Sequence, residues 1–130
     1  DFHYCKWPQE IRHPHEYLAG LNSPNIKSYD GAVISFSHFL PRLELLPAKE
    51  GLRFKGLTQV AGCGLIERQI RELKSAVHVF GHSHINRDCE IEGVRYVQNA
   101  LAYPAERLTP GLPLKEVWDF TAGRAKTPPR

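Results

Sequence analysis

The sequence contains no methionine and opens on Asp1. A translated chain starts with methionine, so a processed or partial product is expected, with part of its machinery carried elsewhere. Only three cysteines are present, Cys5, Cys63 and Cys89, widely spaced and without a C-x-x-C pair. An odd, scattered set argues against a disulfide framework and fits free thiols in a reducing, cytoplasmic setting. No apolar run nears the roughly 18 residues of a membrane span, and no basic-then-apolar leader opens the chain; no membrane role is expected. Seventeen Lys and Arg against fourteen Asp and Glu leave a net charge of +3, too little of one sign to imply a nucleic-acid surface. Internal repeats and low-complexity segments are also missing.

What is present is ordinary globular composition. The 130 residues allow one domain, 1–130. A chain of this length buries about two-thirds of its unfolded surface, enough for a modest core. Hydrophobic residues are 42% and charged residues 24% of the chain, which excludes wholesale disorder. Residues 1–30 are polar and irregular, with a short helix expected over His15–Leu21 behind Pro14. Asp30-Gly31 marks a turn, and Ala32–His38 reads as a strand. Residues 41–63 read as a long loop, with Ala61-Gly62-Cys63-Gly64 a flexible stretch in which Cys63 is a bland small residue. Residues 64–75 have Ile66, Ile70 and Leu73 on one helical face, with Glu67–Arg71 and Arg68–Glu72 pairs on the wet side. Val77–Phe80 is a second buried strand. Residues 87–100 read as a hairpin turning at Glu92-Gly93, and Leu114–Phe120 as a last strand before a basic, frayed tail at 121–130. The order predicts an α/β or α+β fold, with α/β favoured, in which the first two strands, apolar on both faces, are central.

Three of the seven histidines fall where strands end. His38 closes the first. His82 and His84 follow the second, in Gly81-His82-Ser83-His84, with Gly81 expected to permit a tight turn. Alternate residues of an extended chain point the same way, so His82 and His84 are expected to face one space. Neutral imidazole is a common ligand of Zn, Mn and Fe, and ligands gather beyond the carboxyl ends of strands in open α/β sheets. If the two strands are parallel neighbours, the three histidines meet at one edge. His78, inside its strand, reads as a packed, hydrogen-bonded core residue. His13 and His15, flanking Pro14, read as a solvated helix start, and His3 carries no signal.

The stretch Val33-Ile34-Ser35-Phe36-Ser37-His38-Phe39-Leu40-Pro41 resembles the fourth block of the calcineurin-like metallophosphoesterases. Val77-His78-Val79-Phe80-Gly81-His82-Ser83-His84 resembles their fifth, the G-H-x-H block. A looser likeness runs through Tyr96-Val97-Gln98-Asn99-Ala100 and Tyr103-Pro104-Ala105-Glu106-Arg107, so the resemblance covers about 30–120. It implies part of a four-layer α/β/β/α sandwich with a mixed sheet and a C-terminal β-hairpin. It also implies a site for two divalent metal ions (Mn, Fe or Zn), with His38 and His82 on the second metal and His84 on the first. A metal-bridging hydroxide would attack the phosphorus of a phosphorylated substrate, a mono- or diester. Arg42 is the candidate to face the phosphate.

Apart from the three residues Asp1-Phe2-His3 that open the chain, the family's D-x-H, G-D-x-x-D and G-N-H-[DE] blocks do not occur in this sequence, whose only aspartates are Asp1, Asp30, Asp88 and Asp119. The chain therefore resembles the C-terminal half of such an enzyme. It has no catalytic acid of its own, holds at most one metal alone, and is expected to be inactive or nearly so until completed. One sheet face, with residues such as Val33, Ile34, Val79 and Phe80, is expected to stay open for the missing N-terminal half or for self-association. Two other readings stand beside it. One is a metal-free protein-interaction module on the same fold. The other is a mononuclear zinc hydrolase using His38, His82 and His84, with Glu44 as the base.

Overall fold

The computed structural model describes residues 6–106 and 114–126. Cys5, His3 and Arg107, and the end of the expected tail at 127–130, lie outside the described residues. Three α-helices, α1 (Pro14–Leu21), α2 (Leu57–Val60) and α3 (Gly64–Glu72), accompany a four-stranded sheet of β1 (Val33–Phe36), β2 (Ser75–Val79), β3 (Arg87–Ile91) and β4 (Val94–Gln98). The sheet order is β1-β2-β4-β3. The pairs β1–β2 and β2–β4 are parallel, and β3 runs antiparallel to β4. The fold is thus mixed α/β with a mixed sheet and an antiparallel hairpin, as expected. Glu92 and Gly93 form its two-residue turn, both at positive φ (50° and 79°), the conformation that matches strand twist.

The crossover from β1 to β2 carries the core. Residues 41–63 are not a plain loop. Proline and glycine break them into short turns, but Leu45, Leu46 and Leu52 are buried, and two of these leucines join Leu40, Ala61, Ile70, Phe80, Val94 and Tyr96 in one cluster. Nor is the Ala61–Gly64 stretch flexible. Ala61 is fully buried, its carbonyl accepts from the Leu40 amide (2.9 Å), and Leu40 pairs with Gly62 as an isolated bridge. A Cβ on Gly62 would overlap the Leu40 carbonyl, so only glycine fits this crossing.

Helix α3 lays Ile66 and Ile70 onto the cluster. Its Glu67–Arg71 pair faces inward, contrary to expectation. Glu67 accepts from the Tyr96 hydroxyl (2.8 Å), Arg71 Nε (2.7 Å) and Arg42 (3.2 Å). Arg71 also donates to the carbonyls of Ile91 and Glu92 in the hairpin. Burial, then the bond to Glu67, pushes the Tyr96 phenol up to about 12. Arg68 and Glu72 lie exposed.

Register places Ser35, His78, Tyr96 and Cys89 on the helix-covered face. Ile34, Phe36, Val79, Arg95 and Asp88 share the other. There, Arg95 forms a two-pronged pair with Asp88 (2.9 and 2.8 Å). Burial opposes the Asp88 charge; Arg95 and Lys115 outweigh it and hold the carboxyl below its usual range. The segment 114–126 closes over this pair through the Val117 carbonyl, which accepts from Arg95 (3.1 Å). It ends in a small ribbon, β5 (Trp118–Asp119) with β6 (Arg124–Ala125), so the expected Leu114–Phe120 strand shrinks to two residues and part of the expected tail is ordered. The cover stops short of β1. Contrary to the expectation of two central strands, β1 is an edge strand among the described residues, with Ile34 41% and Phe36 85% exposed. Of the residues expected on the open face, Phe80 is instead buried in the core, on the helix side.

Helix α1 buries none of its residues and docks by polar contacts: Gln69 of α3 donates to the Ala19 carbonyl (2.7 Å) and accepts from Asn22 (3.0 Å). No helix of the described residues is long and apolar enough to cross a membrane.

Candidate functional site

Beyond Phe36 the chain continues alongside β2. The Ser37 amide donates to the Val79 carbonyl (3.0 Å) and the Gly81 amide to the His38 carbonyl (3.1 Å). This ladder sets His38 beside the Gly81–His84 loop. The His38 Nε2 and His82 Nδ1 atoms approach to 3.2 Å, with Phe39 packed on both rings. Two nitrogens bound to one ion at about 2.0–2.1 Å lie roughly 2.8–3.4 Å apart in cis-octahedral or tetrahedral geometry, so this pair has the spacing of two ligands. Burial, then the neighbouring His38 and His84, lowers the pKa of His82. That favours the neutral imidazole, the form that ligates.

His84 is not brought onto the same point. The loop is not extended: His82 and His84 both adopt left-handed backbone, φ 70° and 56°, while Gly81, the residue expected to supply the unusual conformation, does not. Alternation therefore fails. His84 turns its Nδ1 to Glu106 Oε2 (2.8 Å) and its ring toward Tyr103. Among the described residues no cluster of three or more His, Cys, Asp or Glu side chains is placed to hold a metal. The donors present thus fit part of a metal site: His38 with His82, and His84 oriented by a carboxylate in the manner of histidine ligands.

Arg42 does not face the histidines. It pairs with Glu44, Glu67 and Glu92 at 2.7–3.2 Å. Glu92 lies in the hairpin turn before β4, the end of the sheet opposite the one where β1 and β2 finish. Glu44 is bound by the same guanidinium through both oxygens, which removes it as a base for a three-histidine zinc site. At the histidine end the Glu106 carboxyl is held below its usual range first by the Tyr103 amide and then by His84, with the Arg53 charge adding least. His13 and His15 lie exposed at the start of α1, as expected.

The support of the site was readable only in part. His78 is buried and hydrogen-bonded, as expected of a core histidine, with both its nitrogens engaged. Ser37 Oγ donates to the Phe39 carbonyl (2.6 Å), so it accepts from His78 Nε2 (3.0 Å), which leaves Nδ1 to accept from Ser35 Oγ (2.8 Å). Burial drives the His78 pKa down to about 4. Gln98, at the end of β4 and 1% exposed, reaches into the loop that carries His82 and His84. Gln98 and Glu106 lie in the stretches of looser likeness, but no residue pattern marks their roles, which come from the end of β4 and the Pro104–Glu106 turn lying beside the Gly81–His84 loop.

No family model and no curated relative matches the chain. Among solved structures it is similar to the phosphopantetheinyl hydrolase PptH from Mycobacterium tuberculosis, with a TM-score of 0.60 at 19% identity. The match covers 80% of this chain and 38% of that one, so the chain spans well under half of that enzyme's length. At this identity the likeness is one of fold.

Proposed function

We propose that the chain is the C-terminal half of a calcineurin-like metallophosphoesterase and forms one wall of a phosphoester-hydrolysing site. The observation that carries the reading is the His38–His82 pair, 3.2 Å apart at the carboxyl ends of adjacent parallel strands, in a fold shared with a hydrolase. His38 Nε2 and His82 Nδ1 would hold the second of two divalent ions, Mn, Fe or Zn. His84, its Nδ1 taken by Glu106, would offer Nε2 to the first. When bound, the ions supply a nucleophilic hydroxide at neutral pH and offset charge on the phosphoryl oxygens. The chain's own part is to orient three imidazoles and keep His82 neutral. The carboxylate ligands belong to the half outside this sequence, which would also cover Ile34 and Phe36. Alone, the chain holds at most one ion and turns over little or no phosphorylated substrate. Free Cys63 and Cys89 support a reducing, cytoplasmic setting.

The test is native mass spectrometry of the chain titrated with Mn and Zn, alongside H38A and H82A checked for folding by circular dichroism. One bound ion, lost in both variants, is the expected result. A wild-type chain that retains no metal would overturn the assignment and favour a metal-free interaction module. In the completed protein, the same substitutions are expected to abolish hydrolysis of bis(p-nitrophenyl) phosphate.

A further inference from the structure

We propose that Gln98 is a positioning residue, a buried amide clamp that holds the Gly81–Ile85 loop in the left-handed conformation presenting His82 and His84. The inference deepens the metal-site reading and rests on it for its functional half.

Left-handed backbone is unfavourable for any residue with a Cβ, and it persists only where the surroundings over-determine it. The Gly81–Ile85 loop has two such residues separated by one, His82 and His84. Its internal bonds are few: the Ser83 amide donates to the Gly81 carbonyl (2.9 Å), and Ser83 Oγ accepts from the Ile85 amide (3.3 Å). Gln98 supplies the rest. In the amide orientation that pairs donors with acceptors, its nitrogen donates to the Gly81 carbonyl (2.8 Å) and to Ser83 Oγ (2.9 Å). Its oxygen accepts from the amides of His84 (2.9 Å) and Ile85 (3.0 Å). One side chain thus satisfies backbone groups before, within and after the turn. Only a primary amide carries the donor and the acceptor needed to do so from one point. Because β4 lies beside β2, its last residue comes level with the loop that follows β2.

The clamp is tested by backbone hydrogen exchange on the metal-free chain, comparing wild type with Q98M, which keeps shape and loses every bond, and Q98E, which keeps the acceptors. The amides of His84 and Ile85 are expected to exchange at least tenfold faster in Q98M than in wild type, with β3–β4 protection unchanged, and not to be restored in Q98E, whose second oxygen meets the Gly81 carbonyl where the amide nitrogen donated. Unchanged exchange of these two amides in Q98M would overturn the clamp. Cobalt(II) titration followed by visible absorption tests the functional half. Q98M is expected to bind at least tenfold more weakly, whereas V97A, a cavity variant in the same strand on the opposite face, is expected to retain wild-type affinity. Equal weakening in V97A, at matched melting temperature, would mean that the effect is general destabilisation and would overturn it. A wild-type chain that takes up no cobalt refutes the metal reading, and exchange then decides the clamp alone.

Discussion

The two faces of the sheet are built to different standards of completion. On one, Ser35, His78 and Tyr96 meet α3 and the buried turns of residues 41–61, and their polar atoms are paired. On the other, the 114–126 segment covers Arg95 and Asp88 but leaves Ile34 and Phe36 in water. The Phe36 ring, 85% exposed at the end of β1, contributes almost nothing by burial. The helix side therefore contributes more to stability than the β1 edge, whose Ile34 and Phe36 form an exposed apolar surface.

The largest expected difference between the faces comes from truncation. Tyr96 is fully buried, and Y96A is expected to lower stability by about 4 kcal/mol, read as a shift of the urea midpoint at unchanged slope. A loss below about 1 kcal/mol would mean that the helix face is not the core.

Acid is expected to attack the same face. The folded pKa of His78, about 4, lies below its ordinary 6.5. Between these values the unfolded chain binds the extra proton and the native chain does not. The stabilisation is therefore complete above pH 6.5 and is lost as pH falls toward 4, by about 3 kcal/mol. Denaturation midpoints at pH 7 and pH 4, in wild type and H78Q, measure it; the variant is expected to show a flatter pH dependence.

The smallest expected effect on stability lies on the open face. F36S is expected to change stability by less than about 0.5 kcal/mol while reducing self-association in sedimentation velocity. A large destabilisation would show that Phe36 is already covered in solution and that the two faces are alike.

Much of this architecture was legible along the chain. The periodicity of Ile66 and Ile70 located α3, the β-branched runs located β1 and β2, and Glu92-Gly93 located the hairpin turn, because each is a local signal of side-chain spacing or turn conformation. The core role of Leu45, Leu46 and Leu52 was hidden, since proline and glycine break every period around them. Of the site, His38 and His82 were legible as strand-end histidines, and their meeting required only that β1 and β2 be parallel neighbours. The rotation of His84 onto Glu106 was not, because extended alternation does not apply to left-handed residues. Arg42 read as a phosphate ligand from its nearness to His38, but position in the chain is silent about the three carboxylates that claim it.

The sequence by itself determined most of the elements and the two strand-end histidine motifs, which are properties of residue type and short-range spacing. Tertiary structure decided what faces what. Strand order put Gln98 level with the Gly81–His84 loop, brought Glu106 to His84 and turned Glu67 inward onto Tyr96. Such contacts join residues 14 to 29 positions apart in sequence, and their energy exists only once the chain has closed on itself.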